Sequence, residues 1–281
     1  MNEKHIYTKN NKVTLHQRGV ILNKSKEKSR RTLAHLSIFG TTQIHLRNPY
    51  IIAMWSVAFP GYGHLLLSKY IRGFALVGWE LFINQSTQLN LAMVYSFMGD
   101  IDAAKEVLNV RYMLMYIPVY LFAIWDSYRT TVDMNKIYLI NEKEQPSVSA
   151  LTVKPFEINY LDKRSPLIAT LWSMTIPSVG QLYIHRVFGA IFTLVTAVVF
   201  IHYSHFLEGL HYLVLGDIER STEVLDKQWL MYLPSFYFFT IYDSYMNTVE
   251  NNKLYVSEQK NYLKSKYQPS TFEFKKGIKV N

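Results

Sequence analysis

The sequence contains no cysteine. This excludes disulfides, thiolate metal sites and cysteine nucleophiles. It also contains no Walker loop, no Rossmann glycine pattern, no G-x-S-x-G elbow and no H-E-x-x-H pair, so the commonest signatures of phosphate, dinucleotide, acyl and zinc chemistry are missing. The expectation is a non-enzymatic protein that uses no cofactor. No basic start followed by an apolar core stands at the N-terminus, and the first long apolar run begins near Tyr50; any insertion signal is then expected to be internal and retained. That run, Tyr50 to Phe59, is itself short. A straight helix needs about 20 apolar residues to cross a bilayer, and this one reaches that length only by continuing through Pro60-Gly61-Tyr62-Gly63 to Leu67.

What is present is a basic chain of 281 residues with a net charge of +9. The charge is uneven. Residues 1–47 hold ten Lys/Arg against Glu3 and Glu27, and from Ser257 onward six Lys oppose Glu258 and Glu273, which leaves the middle slightly acidic. Basic ends on an apolar middle point to a multi-pass protein of the cell membrane with both termini cytoplasmic, rather than to a nucleic-acid binder. The expected partners are the lipid bilayer, its anionic headgroups, and another membrane protein or a second copy of this chain. Residues 25–39 can form a short basic amphipathic helix with Leu33, Leu36 and Phe39 on one face; a solvated basic tail that only fixes topology is the alternative.

The apolar segments are written twice. Pro49 corresponds to Pro166, Trp55 to Trp172, Pro60 to Pro177, Gly63 to Gly180, Gly73 to Gly189, Gly99-Asp100 to Gly216-Asp217, Pro118 to Pro234 and Asp126-Ser127-Tyr128 to Asp243-Ser244-Tyr245, at an offset of 116 or 117. The predicted fold class is therefore all-α: a polytopic integral membrane protein of two tandem, pseudo-symmetric helical repeats. The expected organisation is a basic arm over 1–46, membrane repeats over 47–132 and 164–256, an exposed linker over 133–163, and a basic tail over 257–281. Within each repeat a broken Pro-Gly segment precedes one helix from Phe74 to Met98 and an apolar stretch from Tyr112 to Trp125. Keeping the arm, the linker and the tail on one side requires an even number of spans per repeat, hence four full spans and two broken segments. Three spans per repeat, with the second copy inverted, is the competing arrangement.

Proline removes a backbone donor and glycine accepts unusual dihedrals, so Pro60, Gly61, Gly63, Pro177 and Gly180 are predicted structural hinges. Asp126 and Asp243 are expected to close the last helix of each copy, where the dipole disfavours an acid. They are expected to latch each hairpin, Asp126 on Lys69, Arg72 or Arg129, and Asp243 on His185 or Arg186. A snorkelled aspartate in the headgroups is the plainer reading. Glu80 lies within an apolar run and is a candidate ion or proton site; the plainer reading, which is preferred, is a polar seam with His64 or a neighbouring subunit as its partner. His202, His205, Glu208 and His211 are spaced by three, and imidazole and carboxylate suit zinc; interfacial polar residues are the alternative.

Phe59-Pro60-Gly61-Tyr62-Gly63-His64 with Lys69 through Gly73, and Pro177 through Gly189, resemble the TM2-domain-like membrane proteins over about 35 residues per copy. The resemblance implies a two-helix membrane hairpin with a closing aspartate, filled here by Asp126 and Asp243, and no established chemistry. The chain departs from the pattern at Ser178 in place of the first glycine, at Leu65-Leu66 in place of aromatics, and in a longer stretch before the aspartate. The expected function is a scaffold or accessory subunit of a larger membrane transport assembly. A small transporter or channel between the repeats is the alternative, and a membrane enzyme on the His202–His211 run is a third.

Overall fold

The computed structural model describes residues 34–37, 40–142, 151–154 and 157–268, which are mostly helical. Most of the basic arm, and the tail beyond residue 268, lie outside the described residues. In the first half a hairpin of β1 (Ala34–Ser37) and β2 (Gly40–Gln43) leads into α1 (Pro49–Ala58), α2 (Tyr62–Leu66), α3 (Tyr70–Thr87), α4 (Leu89–Phe97), α5 (Ile101–Val107) and α6 (Val110–Glu142). In the second half β3 (Leu151–Lys154) and β4 (Glu157–Tyr160) precede α7 (Pro166–Thr175), α8 (Val179–Tyr183), α9 (Val187–Tyr203), α10 (Phe206–Val214), α11 (Ile218–Val224), α12 (Lys227–Leu230) and α13 (Tyr232–Tyr267). Both hairpins are antiparallel, with Ala34 opposite Gln43 and Leu151 opposite Tyr160, and β1 lies against both strands of the second.

Local sequence sets the helix ends. Asn48 and Ser165 cap α1 and α7 with their side chains, and a proline follows each at the first helical position, where its missing donor costs nothing. The backbone turns into the left-handed region at Gly61, Ser68, Gln88 and Gly99, and again at Ser178, His185, His205 and Gly216. These pairs are each 117 residues apart and agree in φ to within about 2°. Asp100 and Asp217 then cap α5 and α11 in the same way. The structural offset is thus 117 at all these points, which pairs Gly73 with Ala190 rather than with Gly189.

Four expectations are corrected. Ala34–Ser37 is a strand, so an amphipathic helix does not run through 25–39; residues 25–33 and 38–39 lie outside the described set. The segment 133–163 is not a plain linker, because α6 continues to Glu142 and a hairpin spans 151–160. Asp126 and Asp243 therefore sit inside long helices instead of closing them, and the dipole argument lapses. The helix from Phe74 to Met98 breaks at Gln88, at φ 55°, where polar side chains fold back on the backbone: Thr87 donates to the Asn84 carbonyl and Gln88 to the Gln85 carbonyl. The described residues are mostly helical, consistent with the all-α reading, with two short hairpins beside the helices.

No single helix among the described residues is long and apolar enough to cross a membrane. Two bent pairs reach that length and apolarity only together: α5 with α6, bent by 86°, and α9 with α10, bent by 61°. The main apolar core joins the two halves. It is built from Ile52, Trp55, Phe59, Tyr62, Leu65, Leu66, Leu67 and Val77 of the first half and Ala197, Phe200, Tyr232, Leu233, Phe236 and Phe239 of the second. Tyr62 is stacked between Phe59 (4.5 Å between centroids) and Phe239 (4.1 Å), and aromatic pairs of this kind add about 0.5–1.5 kcal/mol beyond their burial.

Candidate functional site

The Pro-Gly stretches are tight corners. In the first, Phe59 is extended, its N–H caps the Trp55 carbonyl, and Gly61 at φ 101° opens α2. A Cβ on Gly61 would lie 2.6 Å from the Gly73 carbonyl oxygen. Gly63 and Gly180 serve a second purpose, since each lets α2 or α8 touch two helices at once. A Cβ on Gly63 would overlap Ser56 and crowd the Ile52 carbonyl and Ser127; on Gly180 it would overlap Ser173 and the Ala169 carbonyl and crowd Ser244. Each corner is thus a Ser-Gly-Ser contact. Ser178 occupies the position of Gly61 at φ 102°, a conformation that is costly for a residue with a Cβ.

The corners bring a cation to each aspartate. Asp126 accepts from Arg72 at 3.1 Å and lies 3.0 Å from His64 Nε2. Asp243 accepts from Arg186 at 2.9 Å and from Asn247 at 2.7 Å, and Arg186 also donates to the Tyr70 hydroxyl of the first half at 3.1 Å. The arginines reach their acids from different positions: Arg72 from within α3, and Arg186 from the turn before α9, where the first half has Lys69. The two sites also differ in burial. The Arg72 side chain is 63% exposed, whereas those of Arg186 and Asp243 are 4% and 7% exposed. Burial works against the Arg186 charge, but Asp243 and then Tyr70 more than offset it, and its pKa is raised above the ordinary value. Among the described ion pairs Asp126 is held by neither Lys69 nor Arg129; Arg129 instead lies over the Trp125 ring at 5.2 Å.

Glu80 is buried, and its partners are Asn84 at 3.0 Å and the Tyr116 hydroxyl rather than His64. The same Asn84 belongs to a polar clasp between the halves. Gln228 donates to Asn84 Oδ1 at 2.9 Å and to its carbonyl at 3.1 Å. Its side-chain oxygen accepts from the Leu91 N–H at 2.7 Å, and its carbonyl accepts from Asn90 at 3.0 Å. Buried amides that satisfy one another in this way fix register as well as adding stability.

The end bearing the hairpins is clamped twice by asparagine. Asn135 accepts from the Arg47 N–H at 3.0 Å and donates to the Arg47 carbonyl at 2.7 Å; Asn252 does the same for Arg164, at 2.8 and 2.7 Å. The Arg47 guanidinium donates to the Leu66 carbonyl. Arg47 lies beside a cavity of about 170 Å³ lined by His45, Leu66, Tyr242 and Asn247. Burial, then the Arg186 charge, brings Arg47 down to about 10, and burial, then Arg47, pushes His45 down to about 3.

The histidine run does not form a metal site. The helix breaks at His205, which separates His202 on α9 from Glu208 and His211 on α10. His205 and Glu208 pair at 3.1 Å, and no group of three potential ligands is close enough to hold a metal among the described residues. Sequence reasoning missed His64 as the partner of Asp126, Tyr70 as that of Arg186, and the Gln228 clasp. The asparagine clamps left one trace, the recurrence of Asn-Lys at 135–136 and 252–253. No protein-family model, no curated protein and no solved structure matches the chain.

Proposed function

We propose that the chain is a multi-pass membrane protein of two tandem repeats that serves as a scaffold or accessory subunit of a larger membrane assembly. The supporting observation is an inverted distribution of polarity. α7 buries Ala169 and Ser173 and exposes Leu167, Leu171, Trp172 and Met174. α9 buries Ala190, Thr193, Thr196, Ala197 and Phe200 and exposes Ile191, Leu194, Val195 and Val198. Small and hydroxylated residues at the contact, with large aliphatics outside, are the pattern of helices packed in lipid. In water each such exposed side chain forgoes roughly 1.5–3 kcal/mol of burial, and a patch of this extent is a docking or lipid surface.

The repeat reading is supported by the eight left-handed residues spaced by 117 and by the duplicated asparagine clamps. It extends each unit to include its hairpin, from Ala34 and from Leu151. The scaffold reading is supported by the buried Arg186, Asp243 and Asp126, whose charges are engaged in structural contacts that hold the helices together. Extraction and labelling test it. The protein should resist alkaline extraction from membranes, and single cysteines at Ser68 and Asn109 should label from opposite sides. Labelling from the same side, or release at high pH, contradicts the topology. In mild detergent the protein should co-purify with a larger assembly.

A transporter or channel is the second reading, favoured by Glu80 within the polar clasp at the seam between repeats. It requires the purified protein to sustain flux in liposomes and Glu80→Gln to abolish it. That result would displace the scaffold reading.

A further inference from the structure

The two repeats do not pack as mirror partners. In the first repeat Trp55 of α1, Phe59 at its C-terminal cap, Leu65 of α2 and Phe74 of α3 face the second repeat. They meet Phe239 and Tyr242 of α13, Tyr232 of the same helix, and Phe188 and Phe192 of α9. A two-fold relation would place the second repeat's Trp172 face on the first repeat's Phe122 face. Neither is covered. Trp55 is 8% exposed and its counterpart Trp172 47%; Phe239 is 2% exposed and its counterpart Phe122 50%. The contact is heterologous, one face on a different face, and it leaves a free copy of each at opposite ends of the chain. Such contacts continue until a ring closes.

We infer that a second copy of this chain docks on these free faces, the Trp172 face of one copy meeting the Phe122 face of another in the manner of the internal contact. The residue types agree with that placement. The internal contact sets Trp55 against Phe239 and Tyr242; the 117-residue correspondence sets Trp172 against Phe122 and Trp125. Around them Ile176 would meet Met115, as Phe59 meets Tyr232, and Ile191 would meet Ile71, as Phe74 meets Phe188; all four are exposed in the single chain.

Charge complementarity favours protein over lipid as the occupant. Inside the chain, Gln228 inserts between α3 and α4, taking the Leu91 N–H and giving to the Asn84 carbonyl. At the free faces Gln228 becomes Arg111, Leu91 becomes Glu208, and Asn84 becomes Ile201. Leu91 contributes only its N–H inside the chain, so the group that the exposed Arg111 would meet is the carboxylate that Glu208 adds at this position, with the Ile201 carbonyl as a further acceptor. Among the described residues Glu208 is held only by His205, three residues before it, and its side chain is 61% exposed. A lipid-facing surface has no use for this pairing. The inference goes beyond the scaffold reading and requires only that the apolar faces be sheltered from water.

Crosslinking of the full chain in membranes tests it, and the absence of native cysteine makes the result clean. Chains carrying Arg111→Cys and chains carrying Glu208→Cys should form a disulfide-linked dimer when co-expressed and little when expressed alone. Phe122→Cys and Trp172→Cys, joined by a short bismaleimide, repeat the test away from the charges. Arg111→Glu or Glu208→Arg alone should weaken association by at least about tenfold, and the doubly reversed chain should recover it. Crosslinks in the single-variant samples but not in the mixture would overturn the head-to-tail contact. A native chain that bleaches in one step at every density in the bilayer would overturn self-association and assign the faces to lipid, leaving the membrane reading intact.

Discussion

Breaking the Arg186–Asp243 pair by removing one partner should cost far more than breaking the Arg72–Asp126 pair, although the two aspartates hold equivalent positions. Arg186 and Asp243 are almost fully buried and are joined at 2.9 Å, with Tyr70 and Asn247 completing their hydrogen bonds. Arg186→Met leaves a buried carboxylate with only an amide for company, and Asp243→Leu leaves a buried guanidinium with only a phenol. Either change should destabilise the fold by about 3–5 kcal/mol. The double variant replaces both charges with apolar groups and should recover most of that loss, because the desolvation cost of the pair disappears with it. Arg72 is mostly in solvent and its acid keeps His64, so Arg72→Met should cost at most about 1 kcal/mol. Unfolding in mild detergent titrated with dodecyl sulfate gives all five stabilities on one scale, and the cycle isolates the coupling. Equal costs for Arg186→Met and Arg72→Met, or a double variant as unstable as the sum of its singles, would refute the argument that burial sets the two latches apart.

Three further outcomes follow from local geometry. Gly180→Ala should destabilise by about 1–3 kcal/mol, and Ser173→Ala should restore only part of it, since the Ala169 carbonyl cannot move aside; the same unfolding titration reads both. Ser178→Gly should stabilise by about 1 kcal/mol by relieving the φ of 102°, whereas Gly61→Ser should destabilise, because the Gly73 carbonyl and Val77 crowd the new Cβ as well. Finally, His45 is held neutral, with a pKa near 3 against 6.5 in the unfolded chain. The unfolded state therefore binds more protons at acid pH, and stability falls as pH drops below about 6.5, by up to roughly 2 kcal/mol at pH 5. His45→Gln should flatten that slope, and parallel pH profiles for both proteins would exclude His45 as the source.

Much of this was legible in the sequence because backbone constraints leave residue-level traces. Pro60, Gly61 and Gly63 mark a corner, and their recurrence at 177–180 marks the same corner again. The cations near each corner pointed toward Asp126 and Asp243. Which cation makes the contact was not legible, because a turn residue and a residue one helical turn later can both reach the acid; Arg186 and Arg72 are one of each. The break at Gln88 was hidden because glutamine carries no expectation of a left-handed backbone, and the polar run Asn84-Gln85-Ser86-Thr87 holds no glycine or proline to mark a break. Hairpins at 34–43 and 151–160 were obscured by their lysine-rich and polar neighbours, which read as tail and linker. The clasp of Asn84, Asn90 and Gln228 joins residues more than a hundred positions apart with no counterpart in the other repeat, so no internal comparison could suggest it.

The central claim, that the exposed aliphatic and aromatic faces of the helices lie in lipid, is tested most directly by collision accessibility of spin labels. Met54 and Leu171 are equivalent residues, as are Leu121 and Phe238, and all four are exposed in the single chain, away from the proposed contact between copies. A nitroxide on a cysteine at each site, in reconstituted bilayers, should collide readily with oxygen and scarcely with a water-soluble nickel chelate. Frequent collisions with the chelate at all four sites would contradict the account.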